Sequence, residues 1–187
     1  MTDWNETNRI SVVTSPSNPI TTANVKTYAQ IDYATDDTLI GQLATQAREW
    51  VESYTRRKLG EYQLALRLDE FPAKGIELPF PPLASVDSIT YIDTDGESQT
   101  LATSGYRVDS VDVNRTARIV EAYGETWPAT RATTGAVTVT FTCGWSSIPQ
   151  TVLNSVYDYT RSLYDNHMPE IPKLELWLQP YVSHRWG

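Results

Sequence analysis

The sequence predicts an α+β fold: a helical bundle built from N-terminal and C-terminal helices, an antiparallel β insertion over about residues 61–146, and extended termini. Apolar residues recur at helical spacing over Asp37–Leu59, alternate with polar residues from Tyr62, and return to helical spacing after Ser147. We expect a single domain. Its segments are a flexible arm (1–20), helices (21–60), the β insertion (61–146), a helix (147–168) and a C-terminal tail (169–187).

The long helix predicted over Asp37–Leu59 is the strongest local signal in the chain. Asp36 is a candidate N-cap, cations crowd the predicted last turn, and Gly60 offers a left-handed residue to end the helix. The expected inward stripe is Leu39, Leu43, Ala47, Trp50, Val51 and Tyr54, with Ile40 beside it. The opposite face is polar with little charge, which is typical of a subunit contact or a channel wall. Its subunit-contact candidates are Gln42, Gln46, Glu49 and Ser53.

A shorter helix is predicted before the long one. Thr21 or Thr22 caps it, and it runs to about Gln30 with Val25 and Ala29 facing inward. The preceding arm carries three apolar residues, Ile10, Val12 and Val13. Two interpretations of these residues stay open: they pair onto a neighbouring molecule, or they pack against their own domain.

The middle of the chain has the period of two that is typical of half-buried strands. Tyr62, Leu64, Leu66 and Leu68 alternate along residues 62–71 and predict the first strand, and the prolines in residues 74–83 confine the next pairing to an edge. Asp95-Gly96 predicts a two-residue hairpin turn. The clearest strand places Val137, Val139 and Phe141 on one face.

The C-terminal part begins with a helix that starts near Pro149 and is expected to pack on the long helix. Prolines divide the tail that follows, in which only residues 173–179 suit two helical turns. Its large apolar residues must be buried, either on their own domain or in a partner. They are Trp177, Leu178, Tyr181 and Trp186.

Composition excludes several function classes. The formal charge of −8 argues against tight non-specific binding of nucleic acid, although it suits a wall past which DNA slides. One cysteine among 187 residues excludes an internal disulfide framework. No apolar run reaches the roughly 20 residues that span a membrane, and the first residues do not resemble a signal peptide, so we expect synthesis in the cytoplasm.

Catalytic, metal-binding and cofactor motifs are absent from the sequence. The only histidines are His167 and His184, and Cys143 lies in an apolar strand where a buried thiol is the usual interpretation. Asp93 and its acidic neighbours lack the spacing of a calcium loop. We therefore predict no catalytic residues, no metal, no cofactor and no enzymatic activity.

The order of motifs resembles the head–tail connector (adaptor) proteins of long-tailed DNA phages and related particles. The long helix is similar to the pattern DD-x-L-I-x-x-L-x-x-x-A-R-x-x-x-E-x-Y-T-x-R, and the resemblance continues through residues 78–101, YRVD, ARIVEAYGETWP, AVTVTFTCGW and LQPY-x-x-x-R. It covers about residues 19–187. The residues that carry the helical motif are Asp36, Asp37, Leu39, Ile40, Leu43, Ala47, Arg48, Glu52, Tyr54, Thr55 and Arg57.

The resemblance implies a structural virion protein of the portal vertex. Such proteins form a dodecameric ring between the portal protein and the next tail-side connector or tail-completion protein, and DNA passes through the ring without specific binding. Their C-terminal segments tend to dock on the portal. The corresponding docking candidates are Leu178, Pro180, Tyr181 and Arg185.

Two other function classes stay open at the level of the sequence. The chain has 11 Tyr and 6 Trp but only 3 Phe, a bias that also suits a ligand- or carbohydrate-binding β-rich module without catalytic activity. A hydrolase is the weakest alternative, because it rests on Cys143 and two scattered histidines alone.

Overall fold

The computed structural model describes residues 9–16, 18–32, 35–110, 114–165 and 167–184. The chain divides into two compact units. The β unit comprises Met1–Ser15, Glu61–Gly144 and His184–Gly187, and the helical unit comprises Pro16–Gly60 and Trp145–Ser183. Their boundaries follow the changes of hydrophobic period near residues 60 and 145.

The β unit contains two antiparallel sheets. The strands are β1 (Ile10–Thr14), β2 (Tyr62–Leu68), β3 (Ile76–Leu78), β4 (Leu83–Ile92), β5 (Ser98–Thr100), β6 (Tyr106–Asp109), β7 (Ala117–Glu121) and β8 (Val137–Cys143). The larger sheet has the order β1-β2-β8-β4-β5, and the smaller sheet has the order β3-β7-β6. Alternate residues of β8 are buried, as the period of two predicts.

The core of the β unit lies under the inward face of the larger sheet. Strand β8 is central, and its Phe141 is opposite Leu64 of β2 and Val86 of β4. Strand β3 is an edge strand, as its flanking prolines predict. The buried members of this core are Leu64, Leu66, Ile76, Leu78, Ile89, Ala117, Ile119, Val137, Val139, Phe141 and Cys143.

The helical unit contains helices α1 (Thr22–Ala29), α2 (Asp37–Thr55), α3 (Gln150–Tyr164) and α4 (Ile171–Leu178), followed by a 3₁₀ turn at Gln179–Tyr181. All four helices contribute to one core, which confirms that α3 packs with α2. Its buried members are Ile20, Val25, Ile40, Ala44, Ala47, Val51, Leu59, Val152, Val156, Tyr157 and Leu178. These elements confirm the predicted α+β class.

Helix α2 differs from the prediction at its C-terminal end. It ends at Thr55, and Arg56 takes the left-handed conformation (φ 55°) that the sequence assigned to Gly60. The chain turns early because the Glu52 carboxylate binds the backbone amide of Leu59 at 3.0 Å. Arg57 and Lys58 therefore lie beyond the helix rather than in its last turn.

The row of α2 residues that faces the core is also shifted from the predicted row. Its buried residues include Ala44 and Thr55, whereas Leu39 is 47% exposed. Asp36 occupies the N-cap position without capping the helix, because its carboxylate accepts a hydrogen bond from the Tyr164 hydroxyl at 2.7 Å.

The hairpin between β4 and β5 is longer than the predicted two-residue turn. The amide of Asp93 donates to the carbonyl of Glu97 at 2.9 Å, so three residues form the loop. Gly96 has a positive φ of 93°, whereas Asp95 does not.

Described residues near both termini contact their own units. Strand β1 pairs with β2 of its own sheet, with Ile10 opposite Leu66, so this part of the predicted arm is an edge strand. The described part of the tail packs on its own unit, with Leu178 fully buried. Trp186 lies outside the described residues.

Candidate assembly surfaces

The polar face of α2 is an exposed surface on the helical unit. The four predicted subunit-contact residues, Gln42, Gln46, Glu49 and Ser53, are all exposed. Their spacing of three and four residues aligns them along one side of the helix over about 16 Å. Glu49 is the only formally charged member, so covering this surface requires little desolvation of charge.

A polar cluster of the helical motif stabilises the turn that follows α2. The Glu52 carboxylate accepts from Arg48 Nε at 3.0 Å, from Lys58 Nζ at 2.8 Å and from the Leu59 amide at 3.0 Å. Arg48 also donates to the carbonyl of Leu59 at 3.3 Å and to Asn18 Oδ1 at 3.0 Å. These hydrogen bonds give Arg48 and Glu52, two residues of the helical motif, a structural role in the turn after α2.

The predicted docking residues of the tail have different environments. Leu178 is fully buried in the core of the helical unit, so it has no free surface for a partner. Pro180 is exposed, and Tyr181 is half-buried with its ring centroid 6.2 Å from that of Trp145. Arg185 lies outside the described residues. Pro180 and Tyr181 therefore remain candidates for a docking surface, whereas Leu178 packs in the core of the helical unit and holds the segment there.

The outward face of α4 carries an apolar residue that the sequence alone did not single out. Leu176 is 69% exposed, although its neighbours Leu174 and Leu178 are buried. Four-residue spacing places Leu174 and Leu178 on one face and directs Leu176 to the opposite one. The helical spacing of the three leucines is therefore the sequence signal that could have identified Leu176 as exposed.

Among the described residues, strand β1 is an edge strand of the larger sheet. Val12 and Val13 are 57% and 53% exposed, and β1 contains neither proline nor charge between Ile10 and Thr14. Charged side chains and prolines are the usual protection of an edge strand against pairing with another chain. Strand β1 has neither, which makes it a second candidate contact surface.

The thiol that a hydrolase would use as its nucleophile is not available for reaction. Cys143 is fully buried in the core, as the sequence predicts, where a substrate does not reach its thiol. His167 is exposed just after α3. Among the described residues, no group of three or more His, Cys, Asp or Glu side chains is placed to hold a metal ion. No helix in this part of the chain is long and apolar enough to cross a membrane.

The acidic hairpin of the β unit is a local turn structure. Asp93 Oδ1 accepts from the amides of Asp95 at 3.0 Å and Glu97 at 2.9 Å, and Oδ2 accepts from Gln99 Nε2 at 2.9 Å. The Gln99 bond and then the bonds from the backbone hold the pKa of Asp93 below its usual value. The carboxylate oxygens are thus engaged within the turn.

Aromatic side chains of the β unit pack with one another rather than forming an open platform for a sugar. Phe71 stacks on Trp127 with a centroid distance of 4.9 Å and meets the edge of Tyr91 at 5.8 Å. All three are half-buried against the apolar core. These three side chains are engaged in packing, so they give the carbohydrate-binding alternative no support.

The fold and these surfaces define a structural protein built for assembly. The family model of phage gp6-like head–tail connector proteins matches residues 19–123, which is more than half of the chain. The chain therefore belongs to this family. No curated protein matches the sequence.

Solved structures of gene transfer agent (GTA) particles contain chains of the same fold. The neck of an empty particle, computed with C6 symmetry, has a chain that is 22% identical with a TM-score of 0.77; the match covers 95% of this chain and 97% of that one. The neck of a native particle, computed with C12 symmetry, gives 21% identity and a TM-score of 0.72 with the same coverage.

Family membership confirms the interpretation drawn from the ordered motifs. The protein is a head–tail connector, a structural component of a virion. This role needs contact surfaces, for which the exposed face of α2 and the edge strand β1 are the candidates.

Proposed function

We propose that this connector assembles as a closed homo-oligomeric ring of twelve subunits at the portal vertex. The ring lies between the portal protein and the next tail-side connector or tail-completion protein. It carries out no enzymatic step, uses no cofactor, and binds no membrane. DNA passes through it without sequence-specific binding.

The observation that carries this proposal is the pair of dissimilar contact surfaces on one chain. A ring of identical subunits needs a heterologous contact, in which one surface of a subunit meets a different surface of the next. The exposed face of α2 and the edge strand β1 are two such surfaces. The C6 and C12 symmetries of the similar GTA neck structures support a ring of this kind.

The charge of the chain supports passage of DNA rather than its capture. A net charge of −8 per subunit, multiplied around a ring, repels phosphate, and non-specific binding of DNA requires cations that replace condensed counterions. An acidic ring therefore surrounds the genome without holding it.

The decisive experiment measures molar mass by light scattering, first for the protein alone and then for its mixture with the portal protein of the same particle. A ring alone, or a complex with the portal, is the expected result. A monomer that does not bind the portal would contradict the proposal.

The α2 surface gives a sharper prediction. Replacing Gln42 and Gln46 with glutamate adds two charges with almost no change of shape, and like charges at a contact cost several kcal/mol. We expect the dissociation constant of each subunit contact to rise at least tenfold, which corresponds to about 1.4 kcal/mol per contact, and the ring to be lost from the portal mixture. The matched control adds the same two charges at Gln150 and Thr151, both exposed on α3. Equal ring formation by both double variants would exclude the α2 surface.

The tail gives a separate prediction about the portal. Pro180→Glu places a charge on an exposed residue of the docking segment, and we expect at least tenfold weaker binding to the portal with an unchanged ring mass. The control is Pro172→Glu, an equally exposed proline in the first turn of α4. Unchanged portal affinity of Pro180→Glu would remove the tail from the docking surface.

A further inference from the structure

The end of α2 contacts the chain's own C-terminal segment mainly through backbone groups. The amide of Ser183 donates to the carbonyl of Thr55 at 2.9 Å, and its hydroxyl donates to the carbonyl of Arg56 at 3.3 Å. Thr55 and Ser183 are both buried. The carbonyl of Thr55 lies in the last turn of α2, where the helix has no internal amide to bind it, so the C-terminal segment supplies the missing donor.

Arg57 binds the same segment from the next turn of the chain. Its Nε donates to the carbonyl of Tyr181 at 2.6 Å, and the guanidinium carbon lies 5.1 Å from the ring centroid of Trp145. The Tyr181 ring meets the same tryptophan edge-on. Arg57 is only 1% exposed, so both the hydrogen bond and the cation–π contact are shielded from water.

Burying an arginine is costly unless other groups compensate its charge. The contacts at position 57 depend on two properties that are particular to the arginine side chain. The planar guanidinium can stack on an indole while its Nε donates sideways to a carbonyl. Lysine keeps the charge but has no donor at the Nε position and no plane to stack. Methionine fills similar volume without either interaction.

We propose that the end of α2 is an intramolecular receptor for residues 179–183 and that Arg57 is the positioning residue that latches this segment. The latched segment presents Pro180 and Tyr181 in one fixed conformation before any partner binds. A partner then does not have to order a disordered arm, which would weaken its affinity. The identity of that partner as the portal rests on the proposed function, whereas the latch does not.

The test is amide hydrogen exchange in the protein without portal. In Arg57→Met we expect the amide of Ser183 to exchange at least tenfold faster than in the unmodified protein, while amides in the middle of α2, such as that of Ala47, keep their rates. Arg57→Lys should give an intermediate rate and guards against misfolding of the methionine variant. The matched control is Arg56→Met, which removes an exposed cation from the adjacent position.

Each result supports or contradicts the proposed role of Arg57 in holding residues 179–183. Unchanged protection of Ser183 in both Arg57 variants would overturn it, and so would an equal rise in exchange at Ala47, which would show a general loss of stability. Faster exchange at Ser183 alone would support it. Portal binding is then measured on Arg57→Lys, for which we expect at least tenfold lower affinity. Failure of the unmodified protein to bind the portal would contradict the proposed partner and leave the exchange result standing.

Discussion

Replacing Glu52 with alanine is expected to lower the free energy of unfolding by about 3–5 kcal/mol. The Glu52 side chain is 11% exposed, and its carboxylate accepts from Arg48, Lys58 and the buried amide of Leu59. Its removal leaves two largely shielded cations without their shared anion and one backbone donor without its acceptor. Removing the shared anion alone costs more stability than replacing the whole cluster with nonpolar side chains of similar size. The reason is that the two cations left behind stay largely shielded from water.

Urea denaturation, followed by the helical circular dichroism signal, measures this loss. Glu52→Gln is an informative second variant, because its amide oxygen replaces one acceptor while the negative charge is lost; we expect a smaller decrease than for alanine. Glu125→Ala removes an exposed carboxylate and should change stability by no more than about 0.5 kcal/mol. A Glu52→Ala variant as stable as Glu125→Ala would show that the cluster does not stabilise the turn.

Replacing Phe141 with alanine is the second change with a large expected effect, about 3–5 kcal/mol of lost stability. Phe141 is fully buried in the central strand β8, opposite Leu64 on one side and Val86 on the other. Truncation removes most of a buried ring and leaves a cavity that two flanking strands cannot close without disrupting their pairing.

The measurement is again the midpoint of urea denaturation, with the slope of the transition as a check that the denatured state is unchanged. Phe141→Leu should cost less, since it retains part of the volume. Tyr123→Ala is the control, because Tyr123 is fully exposed and its loss should stay within about 0.5 kcal/mol. Similar midpoints for Phe141→Ala and Tyr123→Ala would contradict the assignment of Phe141 to the core.

The sequence predicts helices and strands well where the signal is a hydrophobic pattern or a capping residue that acts over a few positions. The alternation of Val137, Val139 and Phe141 places them on one buried face, and the structure confirms it. Thr21 caps α1 as expected, accepting the amide of Asn24 at 3.2 Å. Both signals involve residues a few positions apart, so the sequence alone contains the information.

Element ends and the roles of single side chains were predicted less well, because partners distant in sequence decide them. Asp36 binds Tyr164 instead of capping α2, and Glu52 sets the turn after α2 through residues six and seven positions later. Leu178 was a docking candidate because of its place in a motif, but the core of the helical unit buries it completely.

The sequence by itself determined the α+β class, the order of helices and strands, the acidic character of the chain and, through an ordered set of motifs, its connector family. These properties depend on local periods, composition and motif order, which can be read along the chain. Only the tertiary structure decided which surfaces are left for partners. The edge of β1, the outward Leu176 and the buried Arg57 beneath the C-terminal segment result from contacts between residues far apart in sequence. Exposure is a property of the packed molecule, and no local pattern specifies it.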